Sequence, residues 1–372
     1  MNGSEVKKKE IVTAEESYYM ASQWQLMRKK FLKHKIARVS LVVLSIFYFT
    51  AVFCEFIAPY TTLTRYPEIH CPPQKIHFID DQGFHLQPFV YKLVLRLDTQ
   101  KFMRVYTEDK SEKFPIRFFV HGEKYKLWNL FETDVHLFGV KNGTVFLFGT
   151  DKLGRDLFSR TLYASRVSLS IGLVGVFVSF VIGVLVGGIS GYYGGRIDMF
   201  IQRIIEFLLS IPTIPLWMAL AAALPPGWSP ITVYLGITII LSMVGWCGVA
   251  RVVRGKFLEL REEDFVMAAK ISGATDAVII IRHLVPSFLS YLIVRLTLSI
   301  PGMILGETAL SFLGLGLRPP VVSWGVLLQQ AQSFSNVSLY PWLLIPGIFV
   351  IGVVLAFNFS GDGLRDAADP YK

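Results

Sequence analysis

Glu307 is a carboxylate inside the apolar stretch 288–310. Burying a carboxylate in hydrocarbon costs about 2.5–3.5 kcal/mol on membrane-insertion scales, so a partner or a purpose is expected. Two interpretations stay open at this point. Glu307 lines a path through the membrane or pairs with a cation across a subunit interface, or it lies near the outer surface and reaches water.

The segment Gly188-Ile189-Ser190-Gly191 matches the Gly-x-Ser-Gly pattern around a nucleophilic serine. Such a serine needs a general base within hydrogen-bonding distance. The long apolar stretches hold no histidine, and the next histidine along the chain, His283, lies in a polar segment. The sequence therefore favours a packing or turn role for Ser190 over an intramembrane serine protease.

Arg203 and Glu206 stand just before an apolar run, at a spacing that places them on one helix face. This spacing favours a structural ion pair, or a contact that gates the cytoplasmic side, over a substrate-binding role.

The polar segment 267–286 lies between two apolar stretches and has a helix-turn-helix pattern. Ala268 and Ala269 have no bulk to hold a partner away. Gly273 permits a positive φ between two short helices, and Pro286 ends the second one. Alone, the pattern is also typical of an ordinary helix-turn-helix on a surface. Its position between two membrane-spanning stretches makes it specific.

These residues belong to a chain of membrane composition. Of its 372 residues, 52% are apolar and 17% are charged, and the mean hydropathy is +0.48. A helix needs about 20 apolar residues to cross a bilayer. Four stretches are apolar and about long enough to cross: 39–56, 167–195, 288–310 and 341–359. Prolines in 224–230 divide the run 207–250 into two further spans. The predicted fold is all-α and polytopic, with six transmembrane helices.

Small residues recur every three or four positions in the second of these spans. They are Gly172, Gly175, Ser179, Gly183, Gly187 and Gly188. This spacing predicts close packing against a neighbouring helix.

Lysine and arginine in the short loops predict the orientation. They concentrate in the N-terminal arm, 1–35, and in the loop 251–287, so both are expected in the cytoplasm. Six spans return the C-terminal tail, 361–372, to the same side. The net charge of +9 is mostly this topology signal, because no soluble face interleaves basic and aromatic residues as a nucleic-acid site would.

Residues 59–164 separate the first transmembrane helix, 36–58, from a helical core, 165–360, that holds the other five spans. Within them, runs such as 89–97 and 115–120 alternate apolar and polar residues, and turn-like segments occur at 81–83 and 121–123. This pattern predicts a β-rich extracytoplasmic insert. The insert is either a contact surface for a delivery protein or a spacer that rests on the membrane core.

Five stretches together carry a family resemblance. They are Gly149-Thr150-Asp151-Lys152-Leu153-Gly154-Arg155-Asp156, Gly191-Tyr192-Tyr193-Gly194-Gly195-Arg196-Ile197-Asp198, the loop 267–286, Gly306-Glu307-Thr308-Ala309-Leu310-Ser311, and the tail Asp362-Gly363-Leu364-Arg365-Asp366-Ala367-Ala368-Asp369-Pro370. This set resembles the permeases of ATP-binding cassette (ABC) importers, and within them the C-type subunit of the oligopeptide, dipeptide and nickel importers.

The resemblance implies a multi-pass permease subunit in the cytoplasmic (inner) membrane of a bacterium or archaeon, forming half of a translocation pathway for peptides. It implies a second, homologous permease as heterodimer partner, two ATP-binding subunits, an extracytoplasmic substrate-binding protein and surrounding lipid, but no nucleic acid. The ATPase subunits would dock on a coupling loop, residues 251–287, through Asp264, Ala268, Ala269, Gly273, Asp276, Arg282 and Pro286. Glu206 and Glu307 are the candidates for a path or a gate.

The chain is expected to bind no cofactor and no metal and to have no ATPase site of its own. It contains no Gly-x-x-x-x-Gly-Lys-Ser/Thr loop, so ATP-Mg is expected on the partner ATPases. Three cysteines without metal-type spacing predict neither a zinc site nor a disulfide framework.

Alternatives to peptide import stay open within the family and outside it. Family members also carry nickel complexes and oligosaccharides. A secondary transporter would usually show inverted repeats, and no convincing repeat is found. Met267 replaces a glutamate that many permeases have, so no polar role of that glutamate transfers to this chain.

Overall fold

The computed structural model describes residues 23–81, 83–98 and 103–369. Lys7, Lys8 and Lys9 of the N-terminal arm, and Pro370 of the tail, lie outside these ranges. The helices are α1 Gln23–Lys33, α2 Lys35–Val52, α3 Cys54–Ile57, α4 Leu157–Tyr193, α5 Gly195–Ser210, α6 Thr213–Ala222, α7 Pro230–Leu260, α8 Asp264–Ile271, α9 Asp276–Val278, α10 Val285–Ser287, α11 Leu289–Phe312, α12 Trp324–Leu328, α13 Phe334–Leu339 and α14 Ile345–Ala368. The strands are β1 His77–Asp80, β2 Gly83–Asp98, β3 Met103–Leu127 and β4 Phe131–Val140.

Five helical segments of the described chain are long and apolar enough to cross a membrane: α2, α4, α7, α11 and the segment Pro341–Ala368 that contains α14. The predicted third span is instead a broken pair, because α5 and α6 meet at an angle of 84°. Pro212 stands at the N-cap of α6, and Pro215 lies in its first turn; neither has a backbone N–H to continue a helix from α5. The count reaches six only if this pair is one span.

Three helices extend beyond the segment boundaries expected from the sequence. Helix α4 begins at Leu157 rather than at 165, α7 continues past 251 to Leu260, and α14 continues past 361 to Ala368. The early start of α4 has a local cause: the Asp156 carboxylate accepts the Ser159 N–H at 2.7 Å and so caps the helix. Its charged first turns are tolerated because Arg160 pairs with Asp151.

Helices α4 and α7 pack backbone to backbone, as the small residues of the second span predict. A Cβ added at Gly187 would lie 2.8 Å from the Ala250 Cα, and one at Gly191 would lie 3.0 Å from the Arg254 Cα. Only glycine permits this approach, so the prediction of close packing is confirmed.

The segment between α3 and α4 contains an antiparallel sheet of order β1-β2-β3-β4, which confirms the β-rich insert. The turn predicted at 121–123 is wrong. Strand β3 runs through it, with a register shift between His121 and Tyr125. In this irregular stretch the Glu123 carboxylate accepts the Thr61 N–H at 3.1 Å and the Thr64 hydroxyl at 2.7 Å, which ties the sheet to the chain that leaves α3.

The two ends of the described chain meet. Met27 and Phe31 of α1 cluster with Ala367 of α14, and the Lys30 Nζ donates to the Asp369 carbonyl at 2.9 Å. Helix α1 and the end of α14 therefore lie on the same side of the helical core.

Candidate functional site

The coupling loop has the two-helix form that Gly273 predicts. At the end of α8 the Ala274 N–H donates to the Ala269 carbonyl at 3.1 Å, and the Gly273 N–H donates to the Lys270 carbonyl at 3.0 Å. Gly273 has φ +80°, so these bonds form a Schellman cap that only glycine adopts without strain. The chain then turns into α9.

The second half of the loop is wound more loosely than an α-helix. Residues Ile279–Leu284 form a π-helical turn, in which the Val285 N–H donates to the Ile280 carbonyl. Pro286 follows, and its missing N–H removes one of the bonds a regular helix would make here. The helical stretch ends at Ser287, so Pro286 lies one residue before its end.

One face of the loop is anchored to the membrane helices. Val266, Ile279 and Leu284 are fully buried and cluster with Val253 and Phe257 of α7. This apolar anchor joins the loop to the end of α7 and, through Phe288 and Leu292, to the start of α11. A force applied to the loop would therefore be passed to both helices.

The opposite face of the loop is open. Ile271 is 85% exposed and Ile281 is 71% exposed, and Phe265, Met267 and Val278 are exposed beside them. The residues expected to contact an ATPase share this exposure: Asp264, Ala268, Gly273, Asp276, Arg282 and Pro286 are exposed and Ala269 is half-buried. Exposed apolar side chains in such number are typical of a protein contact surface.

Polar contacts brace the loop against the end of α4. The Tyr192 hydroxyl donates to the Asp276 carboxylate at 2.6 Å, and the Lys270 Nζ lies 5.5 Å from the centroid of the Tyr192 ring. Asp276 is therefore a bracing residue of the loop as well as an exposed one.

Ser190 lies in a polar cluster between α4, α5 and α7. Its buried hydroxyl donates to the Asp198 carboxylate at 2.5 Å and accepts the Gln202 amide at 3.2 Å. Arg254 holds the same carboxylate, with 2.6 Å between its Nη2 and the Asp198 Oδ2. A buried serine that donates to a carboxylate already paired with arginine is a packing residue, which argues against the protease.

Glu307 is completely buried, so of the two interpretations the one in which it lies near the outer surface and reaches water is wrong. Its carboxylate accepts the hydroxyls of Ser323 at 2.6 Å, Ser311 at 2.7 Å and Ser168 at 3.2 Å. Ser168 also accepts the Trp324 N–H at 3.1 Å. Glu307 therefore joins α4, α11 and α12 inside one chain and does not line an open path there.

Glu206 is in a different environment. It forms an ion pair with Arg203, with 2.8 Å between the Arg203 Nη1 and the Glu206 Oε2, and both side chains are largely exposed. The pairing on one helix face is as predicted. An exposed ion pair contributes little to stability. The role of this pair as a gate contact stays a hypothesis.

A motif before α4 holds two carboxyls in contrasting states. Burial alone would raise the pKa of Asp151, but the neighbouring Arg160 and Arg155 hold this pKa below its usual range. Burial raises the pKa of Asp156 to about 7, and its Oδ1 has no hydrogen-bond partner among the residues that the structure describes. Asp156 is thus poised to carry a proton near neutral pH.

Three cavities border α11 and its neighbours. One of about 210 Å³ lies at the proline turn 224–230 and includes Arg318 in its wall. A second of about 320 Å³ lies between α4, α6, α7 and α11, and a third of about 1260 Å³ lies between α11 and the end of α14. Arg295 borders both the second and the third.

Sequence reasoning missed Arg295, although a signal was present. This residue is a charged side chain within the predicted span 288–310, so the cost argument used for Glu307 applies to it equally.

Comparison with known proteins gives a consistent family. Residues 183–371 match the model of the binding-protein-dependent transport system inner membrane component, and residues 22–73 match that of the N-terminal TM domain of oligopeptide transport permease C. The dipeptide transport system permease protein DppC of Bacillus subtilis is 42% identical over 224 residues, 60% of this chain and 68% of the relative. The oligopeptide transport system permease protein OppC of Haemophilus influenzae is 43% identical over 224 residues, 60% of this chain and 70% of the relative.

A solved structure of the MetNI methionine ABC transporter, in an inward-facing conformation, aligns with a TM-score of 0.45 at 19% identity. The alignment covers 57% of this chain and 97% of that one.

Proposed function

The chain belongs to the family of binding-protein-dependent transport system inner membrane components, and we propose that it forms half of a peptide pathway in an ABC importer. It is a multi-pass membrane permease, as its family and its apolar helices indicate. Its partners in this proposal are a second permease, two ATP-binding subunits and an extracytoplasmic binding protein. The cargo is proposed from the relatives, whose names specify dipeptide and oligopeptide transport.

The observation that carries the proposal is the two-sided coupling loop. Its buried face is fixed to α7 and α11 through Val266, Ile279 and Leu284. Its exposed face presents Ile271 and Ile281 to a partner. An ATPase docked on the exposed face would move both membrane helices when it closes around ATP, because the loop is packed against them as one body.

The test is reconstitution of the four kinds of subunit in proteoliposomes, with loaded binding protein outside. We expect uptake of a short peptide that depends on ATP and on the binding protein. The purified chain alone is expected to hydrolyse no ATP, because it lacks a phosphate-binding loop. Uptake of a nickel complex or an oligosaccharide in place of the peptide would overturn the cargo but leave the importer assignment.

The proposed topology has six spans, counting α5 and α6 as one, with both termini in the cytoplasm. It is supported by the contact of α1 with α14, since two ends that touch lie on one side. Cysteine labelling in intact cells should mark Lys110→Cys from outside, and should mark Glu263→Cys only after permeabilisation. The native Cys54, Cys71 and Cys247 are buried, so background labelling should be low. The reverse pattern would contradict the orientation.

A further inference from the structure

Arg295 is a cation inside a membrane-spanning helix. It lies in the first third of α11, its side chain is exposed, and it borders both the 320 Å³ and the 1260 Å³ cavities. Within 23–81, 83–98 and 103–369, no hydrogen bond or ion pair is formed by its guanidinium. Charged groups at such positions are costly and are normally paired, so a partner from outside this chain is expected.

The smaller cavity, of about 320 Å³, offers hydrogen-bond donors and no acid. Its wall is mainly apolar, and its polar side chains are those of Arg295, Trp217, Ser179 and Ser299. The two serines are engaged, since Ser179 donates to the Ser242 carbonyl at 3.3 Å and Ser299 donates to the Arg295 carbonyl at 2.8 Å.

The second unused donor in this wall is Trp217. Its Nε1 is buried and has no hydrogen-bond partner among the described residues. A buried N–H without an acceptor is rare in folded proteins and costs stability. Two donors without partners in the wall of one cavity therefore point to a ligand that brings acceptors.

We propose that this cavity holds the carboxylate of the cargo peptide, with Arg295 as its counter-ion and Trp217 as a second donor. The inference rests on the proposed function and names a subsite within it. Guanidinium binds carboxylate through two parallel hydrogen bonds, a geometry that lysine cannot reproduce. The volume is at the lower end of ligand pockets, about 300–1,000 Å³, and suits one end of a peptide rather than a whole oligopeptide. Beyond Arg295, the 1260 Å³ cavity provides room for the rest of the cargo peptide or for its release.

The test compares a tripeptide with its C-terminal amide in proteoliposomes that hold the complete complex. The amide keeps the size of the peptide and removes the carboxylate. The same binding protein is used throughout, so its own preference cancels when variants are compared. The variants are Arg295→Gln, Arg295→Lys and Trp217→Phe. The matched control is Arg251→Gln, which removes an exposed cation of α7 that borders none of the three cavities.

We expect Arg295→Gln to lower the ratio of acid to amide uptake by about tenfold or more, as for the loss of one charged hydrogen bond. Arg295→Lys should retain part of the preference, and Trp217→Phe, which keeps the ring, should lower the ratio by a smaller factor. Arg251→Gln should leave the ratio unchanged.

Three results would overturn the inference, and they have different meanings. An unchanged ratio in Arg295→Gln would show that the carboxylate does not meet Arg295. Equal loss of acid and amide uptake, with weaker co-purification of the second permease, would assign the counter-ion to a carboxylate of that subunit. Uptake of neither peptide by the parent complex would overturn the peptide cargo itself, and the subsite with it.

Discussion

Replacing Glu307 tests whether its carboxylate holds α4, α11 and α12 together or carries a charge that acts in transport. In Glu307→Ala, three serine hydroxyls lose their acceptor. Ser311 can turn to the carbonyl of residue 307, four residues before it in the same helix, and Ser168 likewise to that of residue 164. Ser323 precedes α12 as its N-cap and has no such carbonyl. One buried hydroxyl proton left without an acceptor costs about 1–3 kcal/mol, and the vacated volume adds to this, so we expect a loss of roughly 3 kcal/mol.

Glu307→Gln should be much milder. The amide oxygen can replace the Oε1, which accepts from Ser311 and Ser323, so the bond to Ser168 is the one lost. That loss is partly offset because a buried charge is removed, and we expect a net change of about 1 kcal/mol or less. Assembly and peptide uptake should stay near the parent level.

The assay is thermal unfolding of the purified complex in detergent, together with uptake in proteoliposomes. Glu206→Gln is the matched control for the unfolding measurement, since it removes an exposed carboxylate whose ion pair should contribute little to stability. If Glu307→Gln abolished uptake while the complex stayed as stable as the parent, the charge of Glu307 would act in transport. The interpretation that Glu307 only holds α4, α11 and α12 together would then be wrong.

Two further predictions concern packing and pH. Gly187→Ala should destabilise the complex by about 1–3 kcal/mol, because its Cβ meets the Ala250 backbone. Gly255→Ala on α7, whose Cβ would have no atom within 4 Å, should be neutral or stabilising. Equal unfolding temperatures of the two variants would contradict this. Asp156 binds its proton more tightly when folded, so its contribution favours the folded state at acid pH and is lost as pH rises toward 7. Asp156→Asn keeps the helix cap and cannot titrate, so the stability of the variant relative to the parent should rise between pH 4 and 7, and a constant difference would refute the raised pKa.

The coupling loop could be predicted from the sequence because its form depends on local backbone chemistry. Gly273 supplies a positive φ, and Pro286 supplies a missing donor, and both effects act within a few residues. The same is true of the prolines in 224–230, which end one helix before Ser229 caps the next. Such features need no knowledge of distant contacts.

The environment of Glu307 could not be predicted, because Ser168 is 139 positions away and Ser323 is 16 positions away across a loop. The start of α4 at Leu157 is likewise not predictable from local sequence, since the Asp151 partner that neutralises Arg160 lies outside the helix. Arg295 is different: the sequence already showed a charge in a span, and only its lack of a partner needed the structure.

The proposed coupling of ATP hydrolysis to transport through the loop is tested most directly by Gly273→Val. There is open space around a Cβ at Gly273 within this chain, so inside the loop the change acts through its φ of +80°, which a β-branched residue opposes by roughly 1–2 kcal/mol or more. Gly227→Val is the matched control, because it also meets no atom within 4 Å but lies in the proline turn between α6 and α7, away from the loop. The measurement is the number of ATP molecules hydrolysed per peptide imported by the reconstituted complex. The account predicts a ratio near the parent value for Gly227→Val and a clearly higher one for Gly273→Val, with subunits still co-purifying. The same ratio in all three complexes would contradict it.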